Sequence, residues 1–167
     1  MEALFRVHWE SAHRAAYLIV HDAAAAEDIA QEAFLSAIRA LDRFDRRRPF
    51  GPWLHRIVVN RAIDWSRART LRREVAEPVE SEAPAERSEG WSEEVVAALA
   101  VLDADQRAAV VLRHLLEYTP GEIADLLEVP RGTVNSRLRR ALDRLAVELE
   151  RPGEGHDQES GEREALP

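Results

Sequence analysis

Residues Glu77–Gly90 read EPVESEAPAERSEG, with two prolines, one glycine and five glutamates. Such a stretch cannot bury enough apolar surface to offset the entropy of ordering it, so it reads as a flexible acidic linker. It falls near the middle of a 167-residue chain. The expected organisation is therefore two small domains, 1–74 and 93–150, joined by a linker over 75–92. The last residues, 151–167, are as poor in apolar side chains and read as a disordered acidic tail.

On both sides of the linker, apolar residues recur at helical spacing and no alternating strand pattern appears, so the fold class is all-α. A first helix is expected from about Ala3 to Val20, with Phe5, Trp9, Ala12, Ala16 and Ile19 inward. Asp22 is placed to cap a second, whose stripe is Ile29, Ala33, Phe34, Ala37, Ile38 and Leu41. The segment DRFDRRRPFGP breaks the pattern. A third helix starts near Pro52, a residue suited to the first helical position, and buries contacts from among Trp53, Ile57, Val58, Ala62 and Trp65.

The second segment opens with a short helix over SEEVVAALAVL. Asp103 and Gln106 form a capping-box pattern that opens a helix extending to about Leu116. Thr119, Pro120 and Glu122 repeat that pattern for a helix with Ile123, Ala124 and Leu127 inward. After the turn EVP, a last helix begins at Pro130 or Arg131, with Val134, Leu138, Leu142, Leu145 and Leu149 as its stripe.

Two short helices joined by a tight turn, the second rich in arginine, form a helix-turn-helix arrangement. Net charge sharpens the point. The chain carries −8 overall, yet residues 131–146 hold five arginines against one acid, and 42–74 hold ten against four. Arg131, Thr133, Asn135, Ser136, Arg137 and Arg140 are the polar groups suited to the major groove, where arginine pairs with guanine or phosphate and asparagine reads adenine. Exposed arginines also serve simply as solubilising charge, and periodicity leaves both readings open. In the first basic island arginines interleave with Phe44, Phe50, Trp53 and Trp65, a mixture able to grip phosphate and stack unpaired bases.

Other functions find little footing. The chain has no cysteine, which excludes disulfides and thiolate metal sites. No apolar run approaches the roughly 20 residues of a membrane span, and the N-terminus has no signal-peptide pattern, so no membrane insertion is expected. His8, His13 and His21 are poorly spaced for a metal on one helical face. Neither an activated nucleophile nor a phosphate-cradling glycine loop appears, so no enzymatic activity, cofactor or metal is expected.

The segments AEDIAQEAFLSAIRALDRFD and FGPWLHRIVVNRAIDWSRAR together resemble region 2 of the extracytoplasmic-function (ECF) sigma factors of bacterial RNA polymerase. LDADQRAAVVLRHLLEYTPGEIADLLEVPRGTVNSRLRRALDRL is similar to region 4 of the same group. The two cover about residues 5–146 in the family's order. The resemblance implies a cytoplasmic transcription initiation factor that binds core RNA polymerase (its β′ coiled coil and β flap), promoter DNA and an anti-sigma factor.

Carried over position by position, it implies polymerase contacts at Asp28, Gln31 and Glu32. It implies −10 element contacts at Phe44, Arg46, Arg47, Arg48, Phe50, Asn60, Arg61, Asp64 and Arg67. The −35 element falls to Arg131, Thr133, Asn135, Ser136, Arg137 and Arg140. Three departures stand out: Asn135 where lysine is frequent, TPGEIA in place of SYEEIA, and the strongly basic DRRRPF loop. The alternative is a stand-alone helix-turn-helix regulator that does not join polymerase.

Overall fold

The computed structural model describes residues 2–45, 47–75 and 93–150, and these contain helix and turn but no strand. The helices are α1 (Glu2–Val20), α2 (Ala23–Arg39), α3 (Phe50–Val75), α4 (Glu93–Ala100), α5 (Ala104–Val110), α6 (Pro120–Leu127) and α7 (Arg131–Leu149). A 3-10 turn, Leu41–Arg43, follows α2, and a π-helical turn, Val111–Leu115, continues α5. Helix α3 reaches Val75, one residue into the expected linker; residues 76–92 and the tail 151–167 lie outside the described residues.

Helices α1, α2 and α3 pack mutually. Helices α1 and α2 bury many alanines: Ala12, Ala15, Ala16, Ala26, Ala33 and Ala37 are fully buried. Small side chains let helix axes approach closely, and Ile19, Leu54, Val58 and Val59 fill the remaining space. Asp22 caps α2 by accepting from the Ala25 N–H at 2.9 Å. Helix α3 begins at Phe50 rather than Pro52, which costs nothing: a proline in the first turn lacks an N–H that would have had no intrahelical partner.

Helices α5 and α6 pack on α7 around Leu112, Ile123 and Val134. Both expected capping boxes are present, Asp103 with Gln106 and Thr119 with Glu122. The helix expected to run to Leu116 instead widens, with the Leu116 N–H reaching Val111 O at 3.1 Å and the Tyr118 N–H reaching Leu112 O at 3.0 Å. Glu117 takes a left-handed conformation at φ 59°, and His21 and Glu128 do the same after α1 and α6. All three stop a helix without glycine, and so left no glycine signal in the sequence.

Some inward assignments fail at the edges of the core. Ile38, Leu142 and Leu149 are 46%, 50% and 74% exposed, and Phe5 is 45% exposed while stacking on Trp9. Leu126 is buried more fully than Leu127, which is half-buried against the core as expected. A stripe read at three- and four-residue spacing is wider than the contact a small partner helix makes, so its rim stays wet.

The two halves share one buried cluster, because α5 and the π turn pack on α1, and α3 touches α5 and α6. At the centre of this seam lies His55, 6% exposed. Its Nε2 is 3.1 Å from Ser11 Oγ and its Nδ1 is 2.8 Å from Tyr118 Oη. Ser11 already donates its hydroxyl proton to His8 O at 3.0 Å. Ser11 Oγ therefore accepts from Nε2–H, and because burial keeps the ring neutral, Nδ1 accepts the Tyr118 proton. Nearby, Arg107 Nη1 donates to His21 Nδ1 at 3.3 Å, so His21 is neutral too, while His21 Nε2 and Arg107 Nε find no partner.

Burial and the His8 ring lower the His55 pKa to about 4; burial, Arg107 and Arg69 do the same to His21. Both folded pKa values lie below the ordinary 6.5, so the packed arrangement loses stability as pH falls from about 6.5 through about 4. The two shifts amount to roughly 3 kcal/mol each at the acid end. Thermal melts are expected to show a falling Tm over that window, flattened in His55→Gln. Tyr118→Phe strands the Nδ1 acceptor and is expected to cost about 1–3 kcal/mol in urea unfolding at pH 7. Thr119→Ala, by loss of the cap, is expected to cost about 1 kcal/mol in the same measurement.

Candidate nucleic-acid interface

The turn between α6 and α7 is set by Glu128 in the left-handed region, with the Val129 N–H returning to Ala124 O at 3.1 Å. Val134 and Ala141 are fully buried and fix the rotation of α7 about its axis. That rotation leaves Arg131, Asn135 and Arg140 exposed, with Thr133 and Ser136 half-buried beside them. Arg139, four residues past Asn135, is exposed too and was missed in the sequence reading. Its i, i+4 relation to Asn135 was the available signal.

Arg137 differs from its neighbours. Its side chain is only 21% exposed, and its Nη2 is ion-paired with Asp105 Oδ1 at 2.9 Å. The other oxygen of the same carboxylate accepts from Arg67 Nη2 at 2.7 Å. This hydrogen bond and the negative charge of Asp105 raise the Arg67 pKa above its ordinary value. Asp105 thus joins a residue expected at the −10 element to one expected at the −35 element. Spacing in the sequence gave no hint of this contact.

The second surface is built on the loop before α3 and on that helix. Phe44 stacks on Trp53 with centroids 4.5 Å apart, and Phe50 meets both edge-on at 6.0 and 5.7 Å. The aromatics expected to serve base capture are therefore in mutual contact. Beside them opens a cleft of about 620 Å³ walled by Arg43, Arg48 and Arg56 from one half and by Glu122 and Asp125 from the other. Arg47 and Arg48 are exposed, and the loop is tied by the Arg47 N–H to Asp45 Oδ1 at 3.0 Å; Arg46 lies outside the described residues. Farther along α3, Asp64 and Arg67 are exposed and Asn60 is half-buried. Arg61 turns away from them to α2, pairing with Glu32 and donating to Ser36 Oγ at 2.9 Å.

The third surface is the outer face of α2. Asp28, Gln31 and Glu32 are exposed together, as expected, and Leu35 at 50% exposure continues their row. Ile38, assigned inward from the sequence, joins the same outer face. An acidic row ending in bare aliphatics is suited to a protein partner rather than to DNA, whose phosphates it would repel.

The three N-terminal histidines do not converge. His8 lies against Phe50, His13 stacks on Trp9, and His21 meets Arg107. Among the described residues no group of three or more His, Asp or Glu side chains is arranged to hold a metal ion.

Two family models match the chain: Sigma-70 region 2 over residues 4–72 and Sigma-70, region 4 over residues 92–145. The ECF RNA polymerase sigma factor SigM of Mycobacterium tuberculosis is 38% identical over 148 residues, covering 87% of this chain and 74% of that protein. The RNA polymerase sigma-E factor of Streptomyces avermitilis is 32% identical, covering 89% and 84%. Among solved structures, the sigma factor RpoE in complex with the anti-sigma factor NepR from Bartonella quintana superposes with a TM-score of 0.69 at 25% identity, covering 90% of this chain and 96% of that one. CnrH in complex with the cytosolic domain of CnrY gives 0.65 at 26% identity, covering 89% and 86%. With both sigma regions matched in order and relatives of this similarity along most of its length, the chain belongs to the ECF sigma factors of bacterial RNA polymerase.

Proposed function

We propose that the chain directs core RNA polymerase to specific promoters and assists opening of the −10 element, acting in the cytoplasm without making or breaking a covalent bond itself. The observation that carries this reading is the presence, on one chain, of a helix-turn-helix with an exposed Arg–Asn face and a three-helix unit with an acidic–apolar face on α2. A stand-alone regulator accounts for the first and leaves the second without a role. Among the described residues no helix is long and apolar enough to cross a membrane.

In this reading Asp28, Gln31, Glu32 and Leu35 meet the β′ coiled coil, and the second half meets the β flap. Arg131, Asn135, Arg139 and Arg140 read or grip the −35 duplex, Thr133 and Ser136 supply hydroxyls to its backbone, and Arg137 joins them once released from Asp105. The loop Phe44–Phe50, with Asn60, Asp64 and Arg67, holds the −10 segment. A base leaving the stack costs a few kcal/mol, so contacts made only to the flipped base favour the open state selectively. An anti-sigma factor is proposed as a further partner, since the solved relatives RpoE and CnrH are seen with NepR and CnrY.

Run-off transcription with core polymerase over a genomic promoter library tests the whole reading: discrete start sites are expected, and their absence overturns it. Asn135→Ala and Arg140→Ala are each expected to lower transcription from such a promoter about tenfold, from the roughly 1–3 kcal/mol of a base or phosphate contact, while core binding is unchanged. Leu35→Asp is expected to give the converse result in a core pull-down, weakening association while leaving the helix-turn-helix on duplex DNA unaffected.

A further inference from the structure

Between α3 and the turn joining α4 to α5 lies a cavity of about 750 Å³, and five guanidiniums line it: Arg67, Arg69, Arg73, Arg107 and Arg144. Two of them already hold a carboxylate, Arg67 on Asp105 at 2.7 Å and Arg69 on Asp22 at 3.1 Å. The other three have no carboxylate within ion-pair distance among the described residues. Arg73 is exposed, and Arg144 reaches only neutral oxygens, Val101 O at 3.4 Å and Gln106 Oε1 at 3.3 Å. Arg107 is half-buried and spends Nη1 on His21, while its Nε and the His21 Nε2 find no partner. Burial lowers its pKa from the ordinary value; the Asp103 charge offsets this only in part, and the Arg69 charge adds to it.

The acids that share the lining do not supply the missing counter-ion. Asp105 is ion-paired through its two oxygens with Arg67 and Arg137, Asp103 caps α5 by accepting from the Gln106 N–H at 2.8 Å, and Glu74 is exposed. A buried charge without a counter-ion is unfavourable, and polar groups left unsatisfied at a cavity wall are where an ion or ordered solvent belongs. We propose that this cavity is a binding site for a small phosphate-bearing anion, held by Arg107 and Arg144 from the second half and by Arg73 from α3. A guanidinium grips phosphate through paired N–H donors and is less strongly hydrated than an ammonium, so it suits a partly buried anion site. The volume lies in the range of small-molecule sites, which admits inorganic pyrophosphate and the phosphate end of a nucleotide alike. None of these three arginines is assigned above to the promoter or to polymerase, so the site stands apart from both.

The test titrates the full chain calorimetrically with sodium pyrophosphate, sodium phosphate and ATP at constant ionic strength, with thermal melts in parallel. One saturable site per chain is expected, and its ligand raises the Tm by mass action. ATP binding more tightly than pyrophosphate assigns the site to a nucleotide; ATP binding no more tightly assigns it to the inorganic anion. Arg107→Met and Arg144→Met, each first shown to be helical by circular dichroism, are expected to weaken binding about tenfold, as loss of a charge-assisted contact implies. Arg39→Met, which removes an exposed arginine of α2 outside the cavity, is expected to leave it unchanged. The proposal is overturned if no saturable binding is seen, or if several equivalents bind alike. It is equally overturned if binding survives both cavity substitutions, or if Arg39→Met weakens it as much as they do.

Discussion

Burying an imidazole costs free energy unless both nitrogens find partners, and His55 finds one on each side of the seam. Ser11 holds Nε2 from within the first half, and Tyr118 satisfies Nδ1 from the second. With the hydroxyl proton of Ser11 committed to His8 O and the ring kept neutral by burial, Nε2 carries the proton and Nδ1 accepts from Tyr118. The π-helical turn and left-handed Glu117 are what bring Tyr118 to that position, where burial and Glu122 push its own pKa up to about 12. Around this contact the shared cluster closes, and the ion pairs of Asp105 and Glu128 follow at its edges.

Much of the local structure was legible because its causes are local. A side chain three residues from an orphan N–H is enough to announce the caps at Asp22, Asp103 and Thr119. The stripe of α7 was legible only in part: Val134 and Ala141 are covered, while Leu142 and Leu149 line an open apolar cleft with residues of α4 and α5. Ile38 failed because Ala37 beside it is fully buried, which turns Ile38 to the outer face with Leu35. What no periodicity carries is contact across the linker. The meeting of His55 with Tyr118 or of Arg67 with Asp105 depends on how two amphipathic units dock, and residues 63 and 38 positions apart share no local signature.

The candidate sites divide along the same line. The outward face of α7 and the acidic row of α2 could be read from composition and helical spacing. Their rims were missed: Arg139 and Leu35 come into those faces once burial of Val134 and Phe34 sets each helix's rotation. Arg137 was read as one of a uniform row, yet the structure sets it apart by giving it a carboxylate. Reading a promoter at two separated places and burying a seam between the readers are opposed demands on one chain. The seam combines part of the shared apolar cluster with the ion pairs of Asp105 and Glu128.

Arg61 adds a constraint of another kind. Its guanidinium belongs to α3, which carries the proposed −10 residues, but it is held by Glu32 and Ser36 on α2, which carries the proposed polymerase contacts. Any partner that claims the Glu32 carboxylate leaves a positive charge looking for a new anion beside α3. One acid therefore ties the outer face of α2 to an arginine of α3, and the contacts proposed for those two helices draw on the same ion pair.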